Sequence, residues 1–400
     1  MIDLKSLVSG LALAASLGGC AGVGSAPSLS GPPAPTAQLT QPPARDQADL
    51  QVLFWNDAER SERFRAMEQW FAGHEVPAAR TPRVLPQGAP LSAALQADLK
   101  ALMAETNAAG IMVLHDGKVR YEAYGLGLGA NDRWTSFSVA KSFTSTLLGA
   151  AMKDGHIASL NDPVTKYVPG LAGSAYEDVS VRQLATMTSG VKWDENYFDP
   201  NSDVAQMNRF VADYGADAIV TQMKALPREA PAGEKWVYKT GETNLIGVLI
   251  ENAVGKPLAE YAQSKIVEPA GFEGGLFWMV DPRGGNIGGC CLSLRLADYA
   301  RMGQFALEGG NGIVSEGWFA EAGKAQVAFG ADSPGYGYGY QWWTYPDGKF
   351  GAQGIFGQAI TLVPDKRLVV AVVSNWPTAT SSGSRMGTGA LVTKIAASIE

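Results

Sequence analysis

Strand-type residues fall into two groups near opposite ends of this 400-residue chain, with helix-type sequence between them. The first group is Ile111-Met112-Val113-Leu114 and Val119-Arg120-Tyr121-Glu122-Ala123-Tyr124, joined through His115-Asp116-Gly117-Lys118. Two short apolar runs around Asp-Gly predict a β-hairpin. The second group runs from Tyr340 to Tyr345, turns at Asp347-Gly348, and continues from Phe350 to Val363. It turns again at Pro364-Asp365-Lys366 and ends with Leu368 to Ser374. The two groups are expected to pair in one antiparallel sheet flanked by helices, with the middle of the chain as a helical region beside it. That is an α+β plan.

Helical spacing of Phe64, Met67, Trp70 and Phe71 predicts a helix over residues 50–75. Others are expected at about Leu91 to Glu105, from Ser138 to Ile157 with a glycine stop at Gly155, and from about Gly387 to Glu400. Residues 160–330 read as short helices alternating with long loops. The expected division is a signal peptide at 1–20, a linker at 21–48, a helical extension at 49–94 and the main domain at 95–400.

The first twenty residues bear on address rather than fold. Lys5 precedes an apolar run from Leu7 to Leu17, too short to span a bilayer as a helix but suited to a signal-peptide core. It ends in Leu17-Gly18-Gly19-Cys20, which resembles a bacterial lipobox and implies a lipid anchor on Cys20 in the cell envelope. Ala21, rather than an aspartate, points to the outer membrane by resemblance to Gram-negative lipoproteins. The Pro-, Gly-, Ser- and Ala-rich stretch that follows is a spacer composition.

A net charge of -7 with no Lys/Arg run argues against nucleic acid as a partner. Three histidines and three cysteines, none at metal-ligand spacing, imply no metal, and no cofactor is expected. Cys290 and Cys291 are adjacent and are expected to remain separate buried thiols.

No serine has glycine at both flanking positions of a G-x-S-x-G elbow, and His115 and His156 lie in turn sequences, so a histidine-based nucleophile is poorly supported. Ser138-Val139-Ala140-Lys141 offers a lysine base instead. At a helix start, positions three apart share a face. The apolar neighbours Phe137, Val139, Ala140 and Phe143 would lower the lysine pKa by desolvation, and the helix N-terminus favours developing negative charge. A second copy, Ser189-Gly190-Val191-Lys192, has glycine inside it and no helix to align its side chains. A third hydroxyl could carry protons between nucleophile and leaving group, and Tyr238, just before an apolar helix, is the candidate.

Four segments in order, 136–143 (SFSVAKSF), 187–200 (MTSGVKWDENYFDP), 238–247 (YKTGETNLIG) and 354–366 (GIFGQAITLVPDK), resemble those of class C β-lactamase-related serine hydrolases, including 6-aminohexanoate-dimer hydrolases and family VIII carboxylesterases. The resemblance spans about residues 95–395. It implies a serine β-lactamase/transpeptidase-like fold, with Ser138 acylated, Lys141 and Tyr238 as the base system, and the backbone N–H groups of Ser138 and Ile355 as oxyanion hole. Tyr197 matches a tyrosine near the substrate amide; a loop aromatic closing the core is the alternative. Two departures count against β-lactams: Tyr-Lys-Thr stands where Tyr-x-Asn is expected, and Lys-Thr-Gly has only Lys349-Phe350-Gly351 as a counterpart, with Lys349 read as a solvated hairpin lysine. Phe356 is expected to offer an apolar neighbour to an acyl or alcohol group.

These readings imply a serine hydrolase taking a small ester or amide, with a carboxylesterase favoured. A 6-aminohexanoate-type amidase, a DD-peptidase or weak β-lactamase, and an inactive envelope-binding lipoprotein stand as alternatives.

Overall fold

Leu368–Ser374 is apolar at every position but the last, and in the fold it is covered on both faces. The computed structural model describes residues 36–210, 218–281 and 283–399. The expected signal peptide, the Cys20 lipidation site and most of the spacer lie outside these residues. In chain order the strands are β1 (Gln38–Thr40), β2 (Gly73–Val76), β3 (Ala108–His115), β4 (Lys118–Tyr124), β5 (Arg133–Thr135), β6 (Leu276–Met279) and β7 (Leu292–Arg295). They continue as β8 (Val327–Ala328), β9 (Gly337–Tyr338), β10 (Trp343–Thr344), β11 (Phe350–Gln353), β12 (Ala359–Val363) and β13 (Leu368–Ser374).

The larger sheet has the order β4-β3-β13-β12-β11-β10-β9-β8, antiparallel throughout. The hairpin from the first strand group therefore joins the later strands through β3 and β13, as the two-group pattern requires. The hairpin turn needs left-handed backbone at both central residues, and Asp116 (φ 51°) and Gly117 (φ 71°) supply it. Alternation along β13 splits two cores. Val369, Ala371 and Val373 join the main core beneath the helix Leu296–Leu307; Leu368, Val370 and Val372 face the helices Ala93–Glu105 and Ser382–Ser398.

A second, five-stranded sheet (β1-β2-β6-β7-β5) was not legible in the sequence. Its strands are three or four residues long and come from three separated regions, so no local run announces them. It corrects two expectations. Part of the 21–48 spacer is ordered as β1, with the Thr40 hydroxyl donating to Gly73 O at 3.0 Å. Within 160–330, β6 and β7 replace what read as loop.

The helix expected over 50–75 is confined to Asp57–Arg63. It opens on a capping box, Asn56 with Glu59, and stops at Phe64, because Phe64 turns inward instead of continuing the helical stripe. Phe64 is fully buried against Trp134, Phe137 and Phe356, with ring centroids 5.8, 5.0 and 5.5 Å away. Aromatic packing overrode local helix propensity here. The segment read as one strand from Phe350 to Val363 breaks at residues 354–358, where Phe356 (φ 56°) and Gly357 (φ 96°) adopt left-handed backbone.

Cys290 and Cys291 are paired as a vicinal disulfide, correcting the expectation of separate thiols. The chain bends at this point, the Cys290 N–H donating to Ile287 O, directly after the side-chain-free Gly288 and Gly289. Among the described residues no helix is long and apolar enough to cross a membrane.

Candidate active site

Ser138 lies where β5 passes through a tight turn, Phe137–Val139, into the helix Ala140–Lys153. Phe137 holds the left-handed conformation (φ 43°), rare for a bulky side chain. The ring is locked between Phe64 and Phe356, which stabilises a backbone turn that would otherwise relax. The turn leaves the Ser138 side chain half-buried while its neighbours are fully buried.

Lys141 follows one turn later on the same helical face, and its Nζ lies 3.0 Å from Ser138 Oγ, within hydrogen-bond distance. Only 1% of Lys141 is exposed, so desolvation disfavours its charge and pushes its pKa down to about 8, partly opposed by the nearby Glu195 carboxylate. Two acceptors hold the amine: Thr240 Oγ1 at 3.0 Å and Gly289 O at 2.9 Å. Gly289 is itself fixed by its N–H donating to Asn244 Oδ1 at 2.7 Å, and Gly288 O accepts from the Thr144 hydroxyl at 2.6 Å. A Cβ on Gly289 would lie 2.8 Å from Asn244 Oδ1, so only glycine lets this strand of backbone pass so close beneath the amine.

Tyr238 joins this group from the segment before the helix Thr240–Val254. Its ring centre lies 5.1 Å from Lys141 Nζ, and its phenol is close enough to Ser138 for the serine side chain to bear on its acidity. Burial, reinforced by Glu195, raises the phenol pKa, so Tyr238 keeps its proton at neutral pH. Tyr197 lies beside it: its OH donates to Glu195 Oε1 at 2.7 Å, and burial, reinforced by the Glu195 carboxylate, raises its phenol pKa.

Ile355 follows the end of β11, and Gly354 presses against the Ser138 turn. A Cβ on Gly354 would come 2.6 Å from Ser136 O and 3.2 Å from Ser138 N. Among the described residues, no protein acceptor takes the N–H of Ser138 or of Ile355. The neighbouring groups are tied down, Gly354 N to Gln358 O at 2.8 Å and Phe356 N to Ala379 O at 2.9 Å. The corner thus offers two free N–H donors beside a serine oxygen.

Comparison with known proteins bears on family and fold. Residues 95–289 match the family model described as Beta-lactamase. The chain carries a β-lactamase-family domain. A 6-aminohexanoate-dimer hydrolase from Paenarthrobacter ureafaciens is 29% identical over 298 residues, 70% of this chain and 76% of that relative. A solved structure from Bacillus anthracis, provisionally named a 6-aminohexanoate-dimer hydrolase, superposes with a TM-score of 0.77 at 21% identity, covering 89% of this chain and 98% of the other. EstCE1, described as a hydrolase with promiscuous acyltransferase activity, gives a TM-score of 0.60 at 15% identity over 74% of this chain and 97% of its own. The α+β plan and the resemblance stated from the motifs both hold.

Several expectations in this β-lactamase-family domain need correction or placement. Phe356 does not line the site; it is buried with Phe64 and Phe137. An aromatic wall is supplied instead by Trp343, stacked on Tyr238 (5.5 Å, 25°), with Trp236, Phe329 and Tyr338 packed around it. Lys349 immediately precedes β11, at the opposite end of that strand from Gly354, where it pairs with Asp347 at 3.2 Å and reaches Thr393 at 3.4 Å. The triplet beside Ser138 is Ala352-Gln353-Gly354, with no cation. In the second S-x-x-K copy, Ser189 is buried on Glu242 and Lys192 is exposed, so the two side chains do not meet. His156 is exposed, whereas His115 is half-buried against Arg120. Among the described residues no cluster of potential metal ligands occurs.

Several residues of the site went unassigned in the sequence, Thr240, Gly289 and Trp343 among them. Glu195 sits within the 187–200 motif, and its spacing to Tyr197 was the available signal. Arg385, in the last helix, donates to Gly354 O at 3.1 Å and faces Tyr238, Tyr197 and Tyr345. No sequence pattern marks that arginine.

Proposed function

We propose that the chain is a carboxylesterase working through an acyl-enzyme on Ser138. The carrying observation is the Lys141–Ser138 contact: a buried amine with a pKa near 8, 3.0 Å from a half-buried hydroxyl. Neutral Lys141 accepts the Ser138 proton as Oγ attacks the ester carbonyl. The carbonyl oxygen takes up negative charge between the Ser138 and Ile355 N–H groups. The tetrahedral intermediate collapses, the bond to the alcohol breaks, and Tyr238 passes the proton from Lys141 to the leaving oxygen. Water then attacks the acyl-enzyme by the reverse proton route and releases the acid.

An ester is favoured over a β-lactam because the end of β11 beside Ser138 carries no lysine, and the Trp343 and Trp236 wall suits an apolar group. A linear amide is the second reading, supported by the Tyr197 phenol beside Tyr238 and by likeness to a 6-aminohexanoate-dimer hydrolase. Intact-mass analysis after a fluorophosphonate probe is expected to show one adduct, on Ser138. A panel of p-nitrophenyl butyrate, a 6-aminohexanoate amide and a chromogenic cephalosporin is expected to rank the ester first. Cephalosporin turnover far above the ester would reverse the order, and failure to label would revive the binding-lipoprotein alternative.

The proposed address is the cell envelope, with a lipid on Cys20. Expressed in a Gram-negative host, the protein is expected to incorporate labelled palmitate and to lose it in Cys20→Ala; equal labelling of the two would reject the anchor.

A further inference from the structure

We propose that Glu195 is a positioning residue of this site: through the Thr240 hydroxyl it aims the free electron pair of Lys141 at Ser138. The inference rests on the acyl-transfer reading above and adds what directs the base.

The argument is one of hydrogen-bond valence. Neutral Lys141 has two N–H donors and one lone pair, and it has three partners: Ser138 Oγ, Thr240 Oγ1 and Gly289 O. Gly289 O is a carbonyl and only accepts. Thr240 could donate to the amine, but its hydroxyl contacts Glu195 Oε1, and a carboxylate oxygen only accepts, so the Thr240 proton is committed there. Toward Lys141, Thr240 is then an acceptor as well. Both amine protons are drawn to Thr240 and Gly289, and the lone pair is left facing Ser138, the one partner with a proton to give.

Glu195 is held for this task. Its Oε2 accepts from the Thr240 N–H at 2.9 Å and from the Trp193 indole, and its Oε1 accepts from the Tyr197 phenol at 2.7 Å as well as from Thr240 Oγ1. The two donors on Oε2 also dictate what glutamine would do at this position. Its amide oxygen must face the Thr240 and Trp193 N–H groups, which turns its NH2 toward the Thr240 and Tyr197 hydroxyls. The Thr240 oxygen would accept from that NH2, and its own proton would be free to point at Lys141, competing with Ser138 for the lone pair. The Thr240 position, where the sequence departs from the asparagine of Tyr-x-Asn, is in this reading the working link.

The test is a kcat, KM and pH–rate comparison on the full-length protein with p-nitrophenyl butyrate, with thermal melting of each variant. Glu195→Gln and Thr240→Val are each expected to lower kcat about 10–100-fold, the effect of outer partners that orient a reacting group, with KM little changed. Thr240→Ser, which keeps the hydroxyl, is expected to stay within about 2-fold of wild type. Because the Glu195 charge favours protonated Lys141, its removal is also expected to move the acid limb of the Glu195→Gln profile to lower pH. A wild-type kcat in Glu195→Gln, or a loss with an unmoved acid limb and a lowered melting temperature, would overturn the inference. Ser138→Ala serves as the control that separates the two levels. Full activity there removes the hydrolase reading itself, whereas an inactive Ser138→Ala beside an unaffected Glu195→Gln removes only this inference.

Discussion

Ser138→Ala and Lys141→Met are each expected to lower kcat/KM for p-nitrophenyl butyrate by about 10⁴-fold or more, and the double variant by little beyond either one. The reason is that the two groups form one device. The serine oxygen is a poor nucleophile until its proton has somewhere to go, and the base within reach is an amine one helical turn away. Wild-type turnover by Ser138→Ala would show the assignment to be wrong. The same amine sets the pH profile: wild-type kcat/KM should rise with pH and level off above about 8, as Lys141 loses its proton.

Lys141 also carries a stability signature that separates it from a merely adjacent lysine. Its pKa falls from 10.5 to about 8 on folding. Below about 8 both folded and unfolded chains hold the proton, and burying the charge costs about 3 kcal/mol. Between about 8 and 10.5 the unfolded chain holds the proton and the folded one does not, so stability rises with pH across that window. Lys141→Met has no such group. Wild type should therefore gain about 3 kcal/mol on the variant as pH is raised through the window, measured by denaturant unfolding at several pH values. A constant difference would contradict the depressed pKa.

The second large effect is expected at Gly354→Ala, a change of one methyl group outside the reacting set. Gly354 has an ordinary extended backbone (φ -129°, ψ 158°), so alanine meets no conformational penalty there. The difficulty is space: the added carbon would sit 2.6 Å from Ser136 O, 3.1 Å from Gln358 Cβ and 3.2 Å from Ser138 N. The backbone of the Ser136–Ser138 turn cannot yield without separating the Ser138 and Ile355 N–H groups. The expected result is a kcat about 100-fold or more below wild type, the scale of losing one oxyanion donor, with a stability loss of about 1–3 kcal/mol from overpacking. Gly383→Ala, which meets nothing within 4 Å, is the matched control and should leave kcat unchanged. Retained activity in Gly354→Ala would show that this corner does not hold the oxyanion.

What could be read from the sequence alone was whatever depends on neighbours along the chain. The helical start that sets Ser138 and Lys141 on one face is such a case, as are the Asp116-Gly117 hairpin and the apolar runs of β3 and β13. The two strand groups also sufficed for the α+β plan, since β3 and β13 each read as continuous apolar runs. Where packing against distant residues decided the outcome, the sequence was silent or misleading. Phe64 left its helix for a pocket between Phe137 and Phe356, and the short strands β6 and β7 took their form from each other and from β2 and β5.

The site divides along the same line. Ser138 and Lys141 are three residues apart, and local backbone geometry is enough to join them. Thr240 and Gly289 lie 99 and 148 residues further along from Lys141, and the Glu195 carboxylate is linked to it by hydrogen bonds through Thr240. A hydroxyl and an amine at helical spacing determine that a proton can move between them. Which way the lone pair points, and which N–H groups wait for the oxyanion, depends on buried partners that only the folded chain assembles, because hydrogen-bond direction is set in space and leaves no period in the sequence.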